Sequence, residues 1–346
     1  MKNNKTKICI TGHAGFIGSH FIEAILKETD WDVVGIDCLN YSGNLNRLSD
    51  IDNWEEEGHR VKFVYHDFRA ELGEFVMDEI GEVDYILHMG AETHVDRSIV
   101  DPTPFVMTNV VGTMNMLNFA RTLPNLKKFI YFSTDEVYGP TIDDVDFPED
   151  GRHAPGNPYS ASKAGAEDLC LAYANTYKMP IIITNTMNVV SERQHPEKFF
   201  PLVIGRVLKG EEISIHANPE LTKAGSRFYL HARNAWAAIR FILEKTNEFL
   251  EVRSPSQGRF NIVGDRELDN LEFAQFIAGV MGKPLKYKLV NFHESRPGHD
   301  LRYGLTGNKL KDLGFEFPKT FEESITKAIK WYMKPENQRW LDLKDK

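Results

Sequence analysis

The spacing of three glycines constrains this chain more than any other feature of its 346 residues. Gly12, Gly15 and Gly18 follow a β-branched run, Lys7–Thr11, and open a helical pattern over Phe16–Glu28. A strand that turns at once into a helix through such glycines lets backbone approach backbone closely. It also points the first helical N–H groups at whatever lies beyond the turn. A second apolar strand pattern, Asp32–Asp37, ends on a carboxylate 19 residues after Gly18. Glycines alone describe any tight turn, and Asp37 alone describes a surface charge. In this order they predict a dinucleotide held at Gly12, Gly15, Phe16, Ile17 and Gly18, with Asp37 accepting from a ribose diol. A carboxylate there repels a 2′-phosphate, so the expected cofactor is NAD rather than NADP.

Further strand patterns fall at Val61–Tyr65, Tyr85–Met89, Phe129–Ser133 and Ile181–Thr184, with helical stretches over Pro104–Leu123 and Pro158–Tyr177 between them. Strands alternating with helices imply a parallel sheet covered on both faces. The predicted fold is α/β, a Rossmann-type doubly wound parallel sheet with a smaller C-terminal substrate-binding domain. The expected division is 1–188 for the sheet domain, with parts of 228–262 returning to it, and 189–346 for most of the second. That second half is less regular, with helices predicted at Phe199–Leu208, Ala232–Leu243 and from Asp269 to near Gly282, and short strands at Glu212–His216 and Phe260–Val263.

A formal charge of −9 argues against a broad nucleic-acid or membrane-surface footprint. Cys9, Cys38 and Cys170 have no metal-ligand spacing and read as small buried hydrophobes, which fits a reduced, cytoplasmic setting. The N-terminal stretch lacks the continuous apolar run of a targeting segment. The 12 histidines show no metal-binding pattern, and no metal is expected.

Tyr159 and Lys163 lie four residues apart on one predicted helix face. An ammonium beside a phenol favours the phenolate and makes the tyrosine a usable base. Such a pair in isolation is an ordinary surface feature; here it follows a nucleotide motif. Before it, a strand ends in Ser133-Thr134-Asp135-Glu136-Val137-Tyr138-Gly139. Two adjacent carboxylates beyond a parallel strand sit at the sheet edge where ligands bind. Read alone, they are a turn or a helix cap.

The glycine spacing is similar to that of the extended short-chain dehydrogenases/reductases. Asp67 and Phe68, in the stretch His66-Asp67-Phe68, resemble that family's contact to the adenine, although Asp67 alone reads as a turn residue. From about Lys7 to about Tyr332 the chain resembles the dTDP-glucose 4,6-dehydratases. Beyond the Asp-Glu string, the matching stretches are His88–Ile99, Thr108–Thr113, Asn157–Glu167, His195–Ile204 and Ser295–Tyr303. The resemblance implies a redox-neutral loss of water with tightly bound NAD. Tyr159, assisted by Lys163, takes the proton of the sugar 4-hydroxyl as hydride leaves C4 for NAD. Glu136 takes the C5 proton, Asp135 protonates the departing 6-hydroxyl, hydride returns to C6, and Thr134 bonds the 4-oxygen. It further implies Asn188, Lys198, Arg227, Arg296 and Tyr303 as contacts to a nucleotide sugar, and a homodimer built on the helices over Pro104–Leu123 and Pro158–Tyr177. Outside the resemblance, Arg227 and Arg296 read as solvated surface charges.

Two stretches depart from that family. Val189-Val190-Ser191-Glu192 replaces a Tyr-Gly-Pro turn, and Phe228-Tyr229-Leu230-His231-Ala232-Arg233 replaces an aspartate, an aromatic and a Val-x-Asp run. Both are expected to border the substrate pocket, which leaves open dTDP-, UDP-, CDP- and GDP-linked sugars. An epimerase or decarboxylase of the same fold would keep Tyr159, Lys163 and NAD but would not need Asp135 and Glu136. A non-catalytic NAD-sensing protein often loses the Tyr/Lys pair, which is intact here.

Overall fold

A computed structural model describes residues 5–141, 145–291 and 301–343. The strands in chain order are β1 (Lys7–Thr11), β2 (Asp32–Asp37), β3 (Val61–Tyr65), β4 (Tyr85–His88), β5 (Lys128–Thr134), β6 (Ile181–Thr186), β7 (Val189–Val190), β8 (Glu212–Ala217), β9 (Ser226–Phe228), β10 (Leu230–His231), β11 (Arg259–Ile262), β12 (Glu267–Asp269) and β13 (Lys286–Asn291). Seven of them form one sheet in the order β11-β6-β5-β4-β1-β2-β3, every pair parallel. The order reverses between β1 and β4, and the glycine turn leaves β1 at that switch point, where such sheets bind ligands. This is the doubly wound, Rossmann-type sheet predicted.

The inner strands are continuous apolar runs because helices cover both faces. β5 and β6 are buried throughout, whereas the edge strand β3 leaves Phe63 and Tyr65 exposed. The first helix, Phe16–Glu28, buries Phe21, Ile22 and Ile25 against the sheet and against Trp236 of the helix Ala232–Lys245. That returning helix is held at its last turn by Lys128 Nζ, which donates to the carbonyls of Ile242, Leu243 and Thr246 at 2.5–2.8 Å. A cation on otherwise unpaired terminal carbonyls is a favourable end for a helix. A separate apolar core joins the helices Phe199–Lys209, Asn270–Met281 and Phe321–Met333 to β8 and to Trp340.

The path predicted as one helix over Pro104–Leu123 is broken. Thr103–Phe105 and Gly112–Arg121 are α-helical, and Val106–Val111 between them is π-helical. The extra residue per turn turns Asn109 inward. Its side chain bonds both the N–H and the C=O of Glu92 at 2.9 and 3.0 Å, and the Ser162 hydroxyl at 2.8 Å.

Candidate active site

One cavity of about 530 Å³ runs along the carboxyl edge of the sheet, within the range of small-molecule sites. Gly12, Gly15, Phe16, Ile17, Gly18, Asp37, Asp67 and Phe68 line it, and so do Thr134, Asp135, Glu136, Tyr159, Lys163, Asn188, Lys198 and Arg227.

The glycine turn needs its glycines. Gly12 has φ +71°, and a Cβ there would stand 2.8 Å from Gly90 Cα. A Cβ on Gly18 would stand 2.4 Å from Gly12 O. Gly15 precedes the first helix without a side-chain cap, so the leading N–H groups face the cavity unclaimed by a side chain. Asp37 ends β2 beside them, with Oδ2 accepting from Ala14 N at 3.0 Å and Oδ1 from Leu39 N at 2.8 Å. A close-packed backbone cradle, open helix N–H groups and a carboxylate fit a dinucleotide. Phe68 wedges against Gly90 and Gly112, where a Cβ would meet its ring at 2.7 and 2.4 Å. Asp67 is in a fork with Arg69, Nε to Oδ2 at 2.8 Å, and its carboxyl is held below its usual range by that bond.

His88 lies beneath this cradle, fully buried. The Thr11 hydroxyl accepts from Met89 N and Gly90 N at 3.0 and 2.9 Å and meets His88 Nδ1 at 2.8 Å. Having accepted twice, it must donate to Nδ1. That assigns the ring proton to Nε2, which faces Thr113 Oγ1 at 3.0 Å. Burial pushes the imidazole down to about 3, so it stays neutral. His94 instead borders the cavity and caps the helix Val95–Val100.

β5 delivers the reactive cluster. Thr134 ends the strand, and Asp135–Tyr138 turn as a 3-10 helix, which brings both carboxyls to the same cavity. Asp135 is 4% exposed. Its Oδ1 accepts from the Thr134 hydroxyl at 2.9 Å, and its Oδ2 is buried with no partner among the described residues. Burial raises its pKa. Burial, then repulsion from Asp135, pushes partly buried Glu136 up to about 7. Asn157 sets the other side. It caps the helix Pro158–Tyr177 through Ser160 N at 2.9 Å and donates from Nδ2 to Glu136 at 3.2 Å. The residue that starts the Tyr159 helix therefore also holds the second carboxyl.

Lys163 does not pair with Tyr159 in the way the spacing predicts. Its ammonium donates to Phe132 O at 2.7 Å and lies 4.2 Å over the Tyr131 ring. Burial brings it down to about 8. The Tyr159 phenol is pushed well above its usual range, by burial first and then by the charges of Glu136 and Asp135, against a stabilising Thr134 hydroxyl. One turn further, buried Glu167 binds Asn185, His153 and Arg259 at 2.7, 3.0 and 3.1 Å and fixes this helix to β6 and β11.

On the substrate side, Arg227 donates to Ser226 O and Leu301 O at 2.6 and 2.9 Å, and its guanidinium lies 4.7 Å over the Tyr303 ring. Tyr303 is 2% exposed and stacks behind Arg227, which itself lines the cavity. Arg296 lies outside the described residues. The two departing stretches are neighbours, because β7 pairs with β10 and sets Val190 against His231. Val189 and Tyr229 reach the cavity, but Ser191, Glu192 and His231 lie behind it. There the Ser191 hydroxyl meets His231 Nε2 at 3.0 Å and bonds the Glu192 carboxylate, which His231 approaches to 3.3 Å. One departure thus answers the other in a buried polar cluster. Cys38 is also displaced from its predicted role: it is half-buried and lines the cavity.

Sequence reading passed over Glu197, which gathers His94 and Arg97 at 3.5 Å and His195 at 3.6 Å on the cavity wall. These residues sit in the stretches His88–Ile99 and His195–Ile204, so the signal was present. It also passed over Arg47, for which no local signal exists.

The sheet order, the glycine cradle and the Tyr159/Lys163 helix define an extended short-chain dehydrogenase/reductase. Residues 9–328 match the family model described as GDP-mannose 4,6 dehydratase, and the chain belongs to this family of nucleotide-sugar 4,6-dehydratases. It is 34% identical to a dTDP-glucose 4,6-dehydratase of Escherichia coli, across 96% of this chain and 95% of that one. It is 37% identical to the low-salt glycan biosynthesis protein Agl12 of Haloferax volcanii, across 94% and 98%. The crystal structure of DesIV, a dTDP-glucose 4,6-dehydratase of Streptomyces venezuelae with NAD and TYD bound, superposes with a TM-score of 0.84 at 32% identity, covering 98% of this chain and all of that one.

Proposed function

We propose that this nucleotide-sugar 4,6-dehydratase takes dTDP-glucose to dTDP-4-keto-6-deoxyglucose and water. The observation that carries the reading is that Thr134, Asp135, Glu136 and Tyr159 share one cavity with the glycine cradle and Asp37. An epimerase needs the tyrosine but not the two carboxyls. The dTDP-glucose 4,6-dehydratases among its relatives favour this substrate over UDP-, CDP- or GDP-linked sugars.

NAD would be held by Gly12–Gly18 and Asp37; when bound, it supplies the hydride acceptor at C4 and the donor at C6. The chain does the proton work. Tyr159, which would be drawn down from its raised value by Lys163 and the positive charge of bound NAD, takes the 4-hydroxyl proton while Thr134 bonds the same oxygen. The new 4-ketone acidifies C5–H, which Glu136 removes. Asp135 gives its proton to the 6-hydroxyl, which leaves as water, and Glu136 returns a proton to C5. Elimination at neutral pH needs one ionised and one protonated carboxyl. Buried neighbours that resist a double anion meet that need. Arg227, Lys198 and Asn188 would hold the diphosphate and sugar, with Tyr303 behind Arg227.

We further propose residues 1–188, with parts of 228–262 returning to them, as the cofactor unit, and 189–346 as most of the substrate unit. The reading also carries a cytoplasmic homodimer through the helices over Pro104–Leu123 and Pro158–Tyr177, supported by exposed Val106 (47%) and Met107 (39%). Among the described residues, no helix is long and apolar enough to cross a membrane.

Mass spectrometry after separate incubation with dTDP-glucose, UDP-glucose, CDP-glucose, GDP-mannose and UDP-N-acetylglucosamine tests the substrate. A product one water lighter from dTDP-glucose alone supports the reading. A mass-neutral isomer, or full activity in Asp135→Asn/Glu136→Gln, overturns it in favour of an epimerase.

A further inference from the structure

Arg47 is the buried charge that nothing above explains. It is 1% exposed, yet it borders the cavity beside Gly15, Phe16 and Ser42. Neighbouring arginines have carboxylates: Arg193 pairs with Glu23, and Arg60 with Glu57 at 2.7 Å. Arg47 makes no ion pair among the described residues; Asp37 attracts it across the cradle, but its hydrogen bonds there go to carbonyls alone. Its Nε donates to Arg193 O at 3.0 Å, and its Nη1 donates to Ala14 O at 3.1 Å and Ser42 O at 2.6 Å. Those three bonds use three of the five guanidinium donors. The two on Nη2 have no partner among the described residues.

The three carbonyls come from the glycine turn, the loop after Asp37, and the segment leading to Lys198. Arg47 therefore ties together the elements that would surround a dinucleotide's phosphates. It is held there by Trp340, whose ring lies 5.2 Å from the guanidinium. Trp340 Nε1 in turn donates to Asp50 at 2.9 Å, and Arg339 pairs with the same carboxylate at 2.5 Å. A short C-terminal helix, Pro335–Leu341, thus closes over the loop that follows the cofactor strand.

A buried cation with no carboxylate in contact is costly to maintain. Carbonyl dipoles orient it, and Asp37 acts on it only at a distance. A guanidinium suits the oxygens of a phosphate better than any other side chain. We propose that Arg47 is the fixed positive charge for the pyrophosphate of the bound dinucleotide, and that Trp340 keeps it in place. This rests on the reading of the cavity as an NAD site and adds to the helix N-terminus a charge that keeps the cofactor bound through turnover.

The test is calorimetry on cofactor-stripped full-length protein with NAD, ADP-ribose and adenosine. The first two carry a pyrophosphate and the third does not. Arg47→Met is expected to weaken NAD and ADP-ribose at least about tenfold, the size of one charge-assisted hydrogen bond, and to leave adenosine unchanged. Arg47→Lys should recover part of the loss. If Arg47→Met does not fold, Arg47→Gln, which keeps an amide donor for the carbonyls, is read by the same ratio. Equal affinity for NAD in wild type and the neutral variant overturns the proposal, as does a loss shared equally by adenosine. If the wild type binds none of the three ligands, the NAD reading itself fails.

Discussion

The cofactor wall and the substrate wall of the cavity are built in opposite ways. The first is built on consecutive strands of the sheet, with Gly12–Gly18 leaving β1, Asp37 ending β2, and Asp67 and Phe68 lying just beyond the edge strand β3. The second is gathered from distant segments around Asn188, Lys198, Arg227 and Asn270. Where one sheet fixes the backbone, a residue's position follows from its strand. Where separate loops meet, it follows from contacts that no local pattern records. Thr134, Asp135, Glu136 and Tyr159 sit at the seam, and the chemistry depends on both sides.

Variants can break that comparison. The largest effect should come at the seam. Tyr159→Phe is expected to cut turnover by about 10²–10⁴-fold, the size of a lost general base, while NAD content stays unchanged. Glu136→Gln should lose a similar factor, but after C4 oxidation, so exchange of the C5 proton with solvent disappears first. If instead C5 exchange persists, Glu136 is not the base. The alkaline limb of turnover should lie near pH 7. The carboxyl pair must keep one proton for Asp135 to donate, so the rate falls as pH rises through the value to which burial and the Asp135 charge raise Glu136, above which both carboxyls are ionised. In Asp135→Asn, with no second carboxyl to ionise, the residual activity should lose that alkaline limb.

On the substrate wall, Arg227→Met should raise KM for the nucleotide sugar by about 10–100-fold, the worth of a charge-assisted hydrogen bond, with NAD affinity unchanged. An equal loss of NAD would mean the two walls are not separable. The smallest effect on activity should come from Ser191→Gly. It removes a partner of His231 behind the cavity, so we expect about 1–3 kcal/mol of lost stability in denaturant and an unchanged KM. A changed KM would return the departing stretches to the pocket.

The cofactor side was legible because β1 and β2 are buried on both faces and the turn between strand and helix demands glycine. β1, β2 and the helix between them fall at the predicted bounds, and β4 ends one residue earlier than Met89. Other features had no local signal. Paired strands of two residues, β7 and β10, show no period. The π-helical turns at Val106–Val111 look like any helix in hydropathy. Lys163 has the expected spacing from Tyr159, yet its ammonium goes to Phe132 O, a choice made by packing against β5. Tyr303 supports Arg227 because the chain returns beside β9, where Ser226 N bonds Leu301 O at 2.8 Å. The helix Phe321–Met333 was a missed opportunity, since Thr320 and Glu323 form a capping box that the spacing announces.

On the proposed mechanism one cavity oxidises C4, eliminates water across C5 and C6, and reduces C6 without outside redox input. The fate of a deuterium placed on C4 of dTDP-glucose tests it most directly. We expect a product one water lighter that carries the deuterium at C6, with no net NADH formed. Deuterium lost to solvent, or a product of unchanged mass, would contradict the account.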